Sequence, residues 1–310
     1  MDSINRRGFL KRTAGATLGL TATGLLLPFH TKCQAVSSVL ELVGKNYLDE
    51  RIIENIRKIK QENPTLKIGE THCHTTYTDG QYPTADLMQR ASMLGLDFLI
   101  ITDHWIPAHD GEWGWPLAHS LASIADSAKQ YKEWNHPELE PIKVYPAMEL
   151  STHQGHLIMV FPEVYSKPGN RRDLVKQFSP LDNSMISMEV AAGLAKHLGG
   201  ISIIAHPNIN RSYPFGVSTD FAKQYLVGLV DAIEDVSTGH GYQKNYSKEL
   251  GLASIGSSDD HFNFIVGTAV TAYDSAEHND FISAVKARAT KAIKVDGSLD
   301  ELIRAGHLIL

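Results

Sequence analysis

The sequence predicts an α/β fold, a single barrel-like domain behind a leading helix, on three observations. Short apolar, β-rich runs alternate with helix-patterned segments, which implies a largely parallel sheet, closed or doubly wound. Acid and imidazole residues gather at the C-terminal ends of those runs, where a parallel barrel builds its site. The chain of 310 residues holds 15 His against 2 Cys, which points to imidazole chemistry rather than a disulfide scaffold. Hydrophobic residues make up 43% and charged residues 21%, an ordinary globular composition. No internal repeat of solenoid length is present.

Residues 1–35 have the layout of an export signal. A basic start with Arg6-Arg7-Gly8-Phe9-Leu10-Lys11 resembles the twin-arginine signature and precedes an uncharged stretch, Thr13 to Phe29, rich in Gly, Thr, Ala and Leu. The alternative is a single membrane anchor, for which about 17 uncharged residues diluted by Gly and Thr lie at the short limit. Cys33 would suit a lipoprotein, but His30-Thr31-Lys32 is a poor match to the small residues preferred there. The whole chain carries −6; the segment holds five basic residues and one acidic, so the mature chain carries −10. That charge disfavours a partner rich in phosphates, such as nucleic acid. The expected protein is exported to the periplasm or beyond by the twin-arginine machinery. It keeps no stable membrane anchor after cleavage.

Residues 36–65 are expected to form the leading helix, with Val39, Leu42, Val43, Leu48, Ile52, Ile56 and Ile59 at helical spacing and Asn63-Pro64 ending the run. Residues 66–310 then form the barrel. Strands are expected at Leu66–His72, Asp97–His104, Ile142–Leu150, His156–Phe161, Ile201–His206, Val230–Val236, Leu252–Ser257 and Gly267–Tyr273. Helical patterns fall at Thr84–Leu94, Met185–Leu198, Asp220–Val227 and Asp280–Ala289. Trp105–Leu117 and Ser166–Pro180 read as loops, the first with Trp105, Trp113 and Trp115 over the barrel mouth.

His72 and His74, two apart on a strand, share one face and offer two ligands from one rigid element; Asp259 and His261 repeat the spacing. Cys73 points the other way and reads as a small buried residue. Imidazole plus carboxylate without thiolate suits Zn²⁺, Mn²⁺ or Fe²⁺. His153 lies close enough to His156 to be the ligand in its place. Glu234, His240, His109 and His119 read as supporting, loop or surface groups.

Glu70-Thr71-His72-Cys73-His74 followed by Tyr77-Thr78-Asp79-Gly80 resembles the opening motif of the PHP family, the polymerase and histidinol phosphatase domains. Thr102-Asp103-His104, Pro146-Ala147-Met148-Glu149-Leu150 with Gly155-His156, Ala205-His206-Pro207, and Gly256-Ser257-Ser258-Asp259-Asp260-His261 are similar to its later motifs, in family order. The resemblance implies a distorted (β/α)7 barrel with two or three divalent transition-metal ions. His72, His74, Glu149 and Asp259 would surround one ion. Asp79, His104 and His261 would hold a second, and His156 and His206 a third with Glu149 bridging. Glu70 stands where the family usually has Asp, a change that bears on the groups supporting the ligands.

The implied activity is hydrolysis of a small-molecule organic phosphate by a metal-bridging hydroxide, with Asp259 or His261 protonating the leaving oxygen. Arg211, five residues after His206, is the best-placed cation for phosphate, ahead of Arg171 and Arg172. A carbamate or carboxylic ester hydrolase on the same metals is the alternative, and a non-catalytic metal-binding module a third. If Arg6 and Arg7 direct export, changing both to Lys should leave the protein in the cytoplasm, as read by cell fractionation.

Overall fold

The computed structural model describes residues 47–107, 114–209 and 215–296. The export segment, Arg211, His109, Trp113 and the first part of the expected leading helix lie outside them. Two compact units divide the chain, Met1–Arg51 and Ile52–Leu310. Of the first unit, the described residues 47–51 are helical, and the helix continues to residue 62. No helix among the described residues is long and apolar enough to cross a membrane.

The strands of the second unit fall into two hydrogen-bonded sheets. The first has the order β12(Thr290–Lys294)–β11(Ala269–Asp274)–β1(Leu66–Cys73)–β2(Phe98–Ile101)–β4(Lys143–Tyr145). The second runs β10(Ala253–Ser257)–β8(Ala232–Ser237)–β7(Ile201–Ile204)–β6(Gly155–Val160)–β5(Ala147–Thr152)–β3(His104–Trp105), with β9(Tyr242–Gln243) added beside β8. Strands β1, β2 and β4 are mutually parallel, as are β7, β8 and β10. The expected parallel order is broken at β11, antiparallel to β1 and β12, and at β6, antiparallel to β5 and β7. The reason is local. Only the turn His153-Gln154 separates β5 from β6, and a connection that short can only reverse the chain.

Two seams join the sheets. On one side Thr71 and Thr271 hydroxyls both donate to the Gly256 carbonyl at 3.0 Å, tying β1 and β11 to β10. On the other, the chain steps from β2 into β3 and from β4 into β5 after one or two residues. The inward faces share one apolar core containing Phe98 and Ile100, Ile158 and Val160, Ile201 and Ile203. The alternate residues Met148, Leu150, Leu157 and Met159 face outward into a second core with the helices Leu117–Lys132, Pro168–Phe178 and Met188–His197. Period-two alternation therefore decides the location of the site: Ala147 and Glu149, or His156 and Ile158, share the inner face.

Two of these helices fall outside the expected elements. Pro168–Phe178 lies in the expected loop Ser166–Pro180, and Leu117–Lys132 begins where the other loop ends. Pro168–Phe178 buries only Leu174 and Phe178, too few apolar positions to mark a period. Within the inner core, Phe98 packs against Phe281, Tyr273 and Tyr145 at ring-centroid distances of 5.2, 5.8 and 6.0 Å. Phe98→Ala should cost about 3–5 kcal/mol in chemical denaturation, since the ring sits in the middle of this layer.

Candidate metal centre

The expected ligands converge at one end of the inner core. Glu149, from β5, stands at the middle. Its Oε1 lies 3.0 Å from His156 Nδ1 and from His206 Nε2. Its Oε2 lies 3.0, 3.4 and 3.6 Å from nitrogens of His104, His72 and His74. Asp259 Oδ1 lies 3.2 Å from both His72 Nε2 and His74 Nε2. Asp79 Oδ2 lies 3.2 Å from His261 and 3.4 Å from His104.

The antiparallel β6 contributes from its N-terminal end, so His156 reaches the site that the parallel strands approach from their C-terminal ends. His153 sits in the β5–β6 turn and is exposed, whereas His156 is buried against Glu149. His240, expected to be a supporting or surface group, lies in the turn after β8 with Nε2 2.6 Å from Asp259 Oδ2. Its place after an apolar strand was the one signal for it. Cys73 is buried with its thiol on the Ile100 carbonyl.

Ligand atoms within 4.8 Å of one another form the groups His74/Asp79/His104/His261, His72/His74/Asp259, His72/Glu149/His206, His104/Glu149/His156 and His206/His240/Asp259. Buried His72 Nε2, His74 Nδ1, His104 Nδ1 and Glu149 Oε2 make no aligned hydrogen bond, although His104 Nδ1 and Glu149 Oε2 stand only 3.0 Å apart. Such atoms are costly alone. Gathered from separate strands, their lone pairs fit divalent cations, and nitrogen with oxygen suits transition metals.

Charge is shared unevenly. Burial opposes ionisation of Glu149, but His156, His72 and His104 hold its carboxyl well below the usual range. Burial likewise opposes ionisation of Asp259, and His72 and the bonds to His240 and His74 override it. Burial and the neighbouring His261 and His104 push His74 down to about 4. His104, desolvated but beside Glu149 and Asp79, is pushed up to about 10.

Buried carboxylates set the ligand orientations. Glu234 Oε1 lies 2.9 Å from His72 Nδ1, turning Nε2 toward the site, while its Oε2 accepts from the His206 amide at 2.6 Å. Glu70 accepts from the amides of Thr71, His72, Ser258 and Gly267, and burial raises it to about 7. The backbone is strained at the site itself: His206 has φ 28° and Asp259 φ 52°.

Residues 243–290 match the family model described as PHP-associated. A two-domain protein from Bacteroides vulgatus, containing a predicted PHP-like metal-dependent phosphoesterase, superimposes with TM-score 0.53 at 19% identity. The match covers 74% of the present chain, which spans 65% of that protein. PsfC from Pseudomonas syringae matches with TM-score 0.50 and 17% identity, over 79% of this chain and 98% of its own. The chain has a PHP-like fold. Among curated proteins no match is found.

The cluster opens on a cavity of about 650 Å³ lined by Asp79, His104, Glu149, His156, His206, Asp259 and His261, with His72 and His74 buried behind them. At its edge Asp79 rides on the loop after β1. Asp103 fixes that loop by accepting from the Thr75 amide at 2.8 Å and from the hydroxyls of Thr75 and Thr78 at 2.6 and 2.7 Å. The loop folds back so closely that a Cβ on Gly80 would stand 2.4 Å from the His74 carbonyl. Gly80→Ala should therefore displace Asp79, costing about 1–3 kcal/mol in a thermal melt and weakening uptake of Mn²⁺ or Zn²⁺ in titration.

Proposed function

We propose that this protein is a divalent-metal-dependent hydrolase of small organic phosphate esters. The observation that carries the reading is the convergence of buried imidazole nitrogens, which make no aligned hydrogen bond, and the Glu149 carboxylate beside an open cavity. His72, His74, Asp259 and Glu149 would hold one ion, with Asp79, His104 and His261 on one side and His156 and His206 on the other; His240 is added beside Asp259. Two or three ions of Zn, Mn or Fe held there would supply Lewis acidity toward a phosphoryl oxygen and would lower the pKa of water toward about 7.

The chain's own groups do the rest. Glu149 and Asp259 stay ionised among the imidazoles and keep the ligands spaced. Of the two groups expected to protonate the leaving oxygen, Asp259 is therefore the poorer donor. His261 borders the cavity with its side chain 25% exposed. Burial would lower its pKa, but the hydrogen bond to Asp79 and the charge of Asp259 raise it. Arg211 lies outside the described residues and is proposed as the phosphate-binding cation from its sequence position. Among the described residues no Lys or Arg lines the cavity, which favours a neutral carbamate or carboxylic ester as the second reading. The Arg6-Arg7 motif supports export to the periplasm or beyond by the twin-arginine machinery. The acidic chain supports a small-molecule substrate and no nucleic acid.

The test is metal analysis alongside hydrolysis of phosphomonoesters, phosphodiesters and aryl carbamates. Two or three equivalents of metal and phosphate release that chelator abolishes and Mn²⁺ or Zn²⁺ restores are expected. Less than one equivalent, with no gain on adding metal, would sink the reading. Glu149→Gln should stay folded, bind less metal and lose roughly a hundred-fold or more in rate, at least the upper value typical of groups that merely support ligands.

A further inference from the structure

The cavity has two chemically distinct zones. Its floor is imidazole and carboxylate; its rim is Ile106, Trp115, Phe215, Phe262 and Ile265. Trp115 stacks on His104 at 5.2 Å and 10°, and Phe215 on His206 at 4.0 Å and 14°, so two rim rings are held by the floor. Phe262 differs, being 58% exposed.

Holding it there takes buried charge. Arg90, 4% exposed, donates to the carbonyls of Asn263 and Phe264 at 2.5 and 2.6 Å. Asp260, also buried, accepts from the amides of Phe262 and Phe264 at 3.1 and 3.0 Å. Asn263 between them takes a left-handed φ of 49°. Asp260 in turn is tied to β1, its carbonyl accepting from the His74 amide at 2.9 Å. A loop clamped from both sides by buried charge presents a phenyl ring to water at the mouth of the cavity. Exposed apolar side chains occur elsewhere on this surface, but this one is anchored beside the ligand cluster.

We infer that the substrate's organic part is a planar aromatic group, and that Phe262 is the residue that selects it by ring-on-ring contact. The cavity is several times larger than a phosphate group requires, and the rim can take the remainder. The inference rests on the proposed phosphate ester reading for the other end of the substrate. Ring pairs are worth roughly two- to tenfold beyond the area they bury.

The experiment compares kcat/KM of the Mn²⁺-loaded full chain on benzyl, cyclohexylmethyl and n-propyl phosphates. Benzyl alcohol is the best leaving group of the three, so the change of the ratio in the variant and the binding of the phosphonates, which lose no alcohol, carry the test. Calorimetry compares binding of benzylphosphonate and n-propylphosphonate in parallel. Benzyl should exceed n-propyl by about fivefold or more, with cyclohexylmethyl, equal in size but not planar, below benzyl. In Phe262→Ala, checked for folding by thermal melt, the benzyl-to-propyl ratio should fall toward one; Phe262→Tyr should restore it. Equal rates on benzyl and cyclohexylmethyl, or a ratio unchanged in Phe262→Ala, would overturn the inference. Hydrolysis of none of the three would count against the phosphate ester reading instead. The phosphonates then decide the inference alone: tighter binding of the benzyl compound supports it, and equal or no binding overturns it.

Discussion

Everything at this site depends on a single buried carboxylate. Glu149, 1% exposed, would be among the most expensive groups in the molecule without partners. It is kept ionised by imidazoles that touch both of its oxygens. Those imidazoles come from β1, β3, the start of β6 and the turn after β7. No pair of them is close in sequence except His72 and His74, so the carboxylate is stable only when the strands are in register. Fold and site are thus one constraint, because the charge that a metal would need is also the charge that the apolar strands must surround.

The surrounding carboxylates show how such a site is kept open for metal. Glu234 and Glu70 point at backbone amides and at the far nitrogen of His72, never into the cluster. They absorb amides left free where the strands end and leave the near nitrogens uncommitted. The left-handed backbone at His206 and Asp259 is a further cost, of order 1–3 kcal/mol each, that apolar packing elsewhere must offset. Ligand-holding geometry is favoured here over local backbone stability.

The division of the cavity into an acidic and imidazole floor and an aromatic rim follows from where each residue type is carried. Glu149, His104, His156 and His206 sit on strands or directly after them, where position is rigid, while Asp79, His240 and His261 ride on the turns that follow. The rim residues sit on the connecting segments, which vary without disturbing the core. Phe262 combines the two, a loop residue on a base held by Arg90 and Asp260.

The sequence by itself determined the α/β class and most strand positions, because alternation is a local fact. The His-x-His and Asp-x-His spacings marked His72, His74, Asp259 and His261, and the other five expected ligands came from the resemblance to the PHP motifs. Glu70 was legible as a supporting group through that resemblance, whereas Glu234 could not be told from a loop or surface group. Tertiary structure decided what depends on chain reversal and distance. That β6 runs antiparallel comes from a short turn, which leaves His153 exposed and brings His156 beside Glu149. That His240 meets Asp259 is invisible in a lone turn histidine, since the two residues are brought together only by the parallel pairing of β8 with β10. Helix Pro168–Phe178 was hidden because two buried residues give no period, and its stability comes from packing on the sheet. Local pattern fixes which face a side chain takes; only the folded chain fixes which other side chains share it.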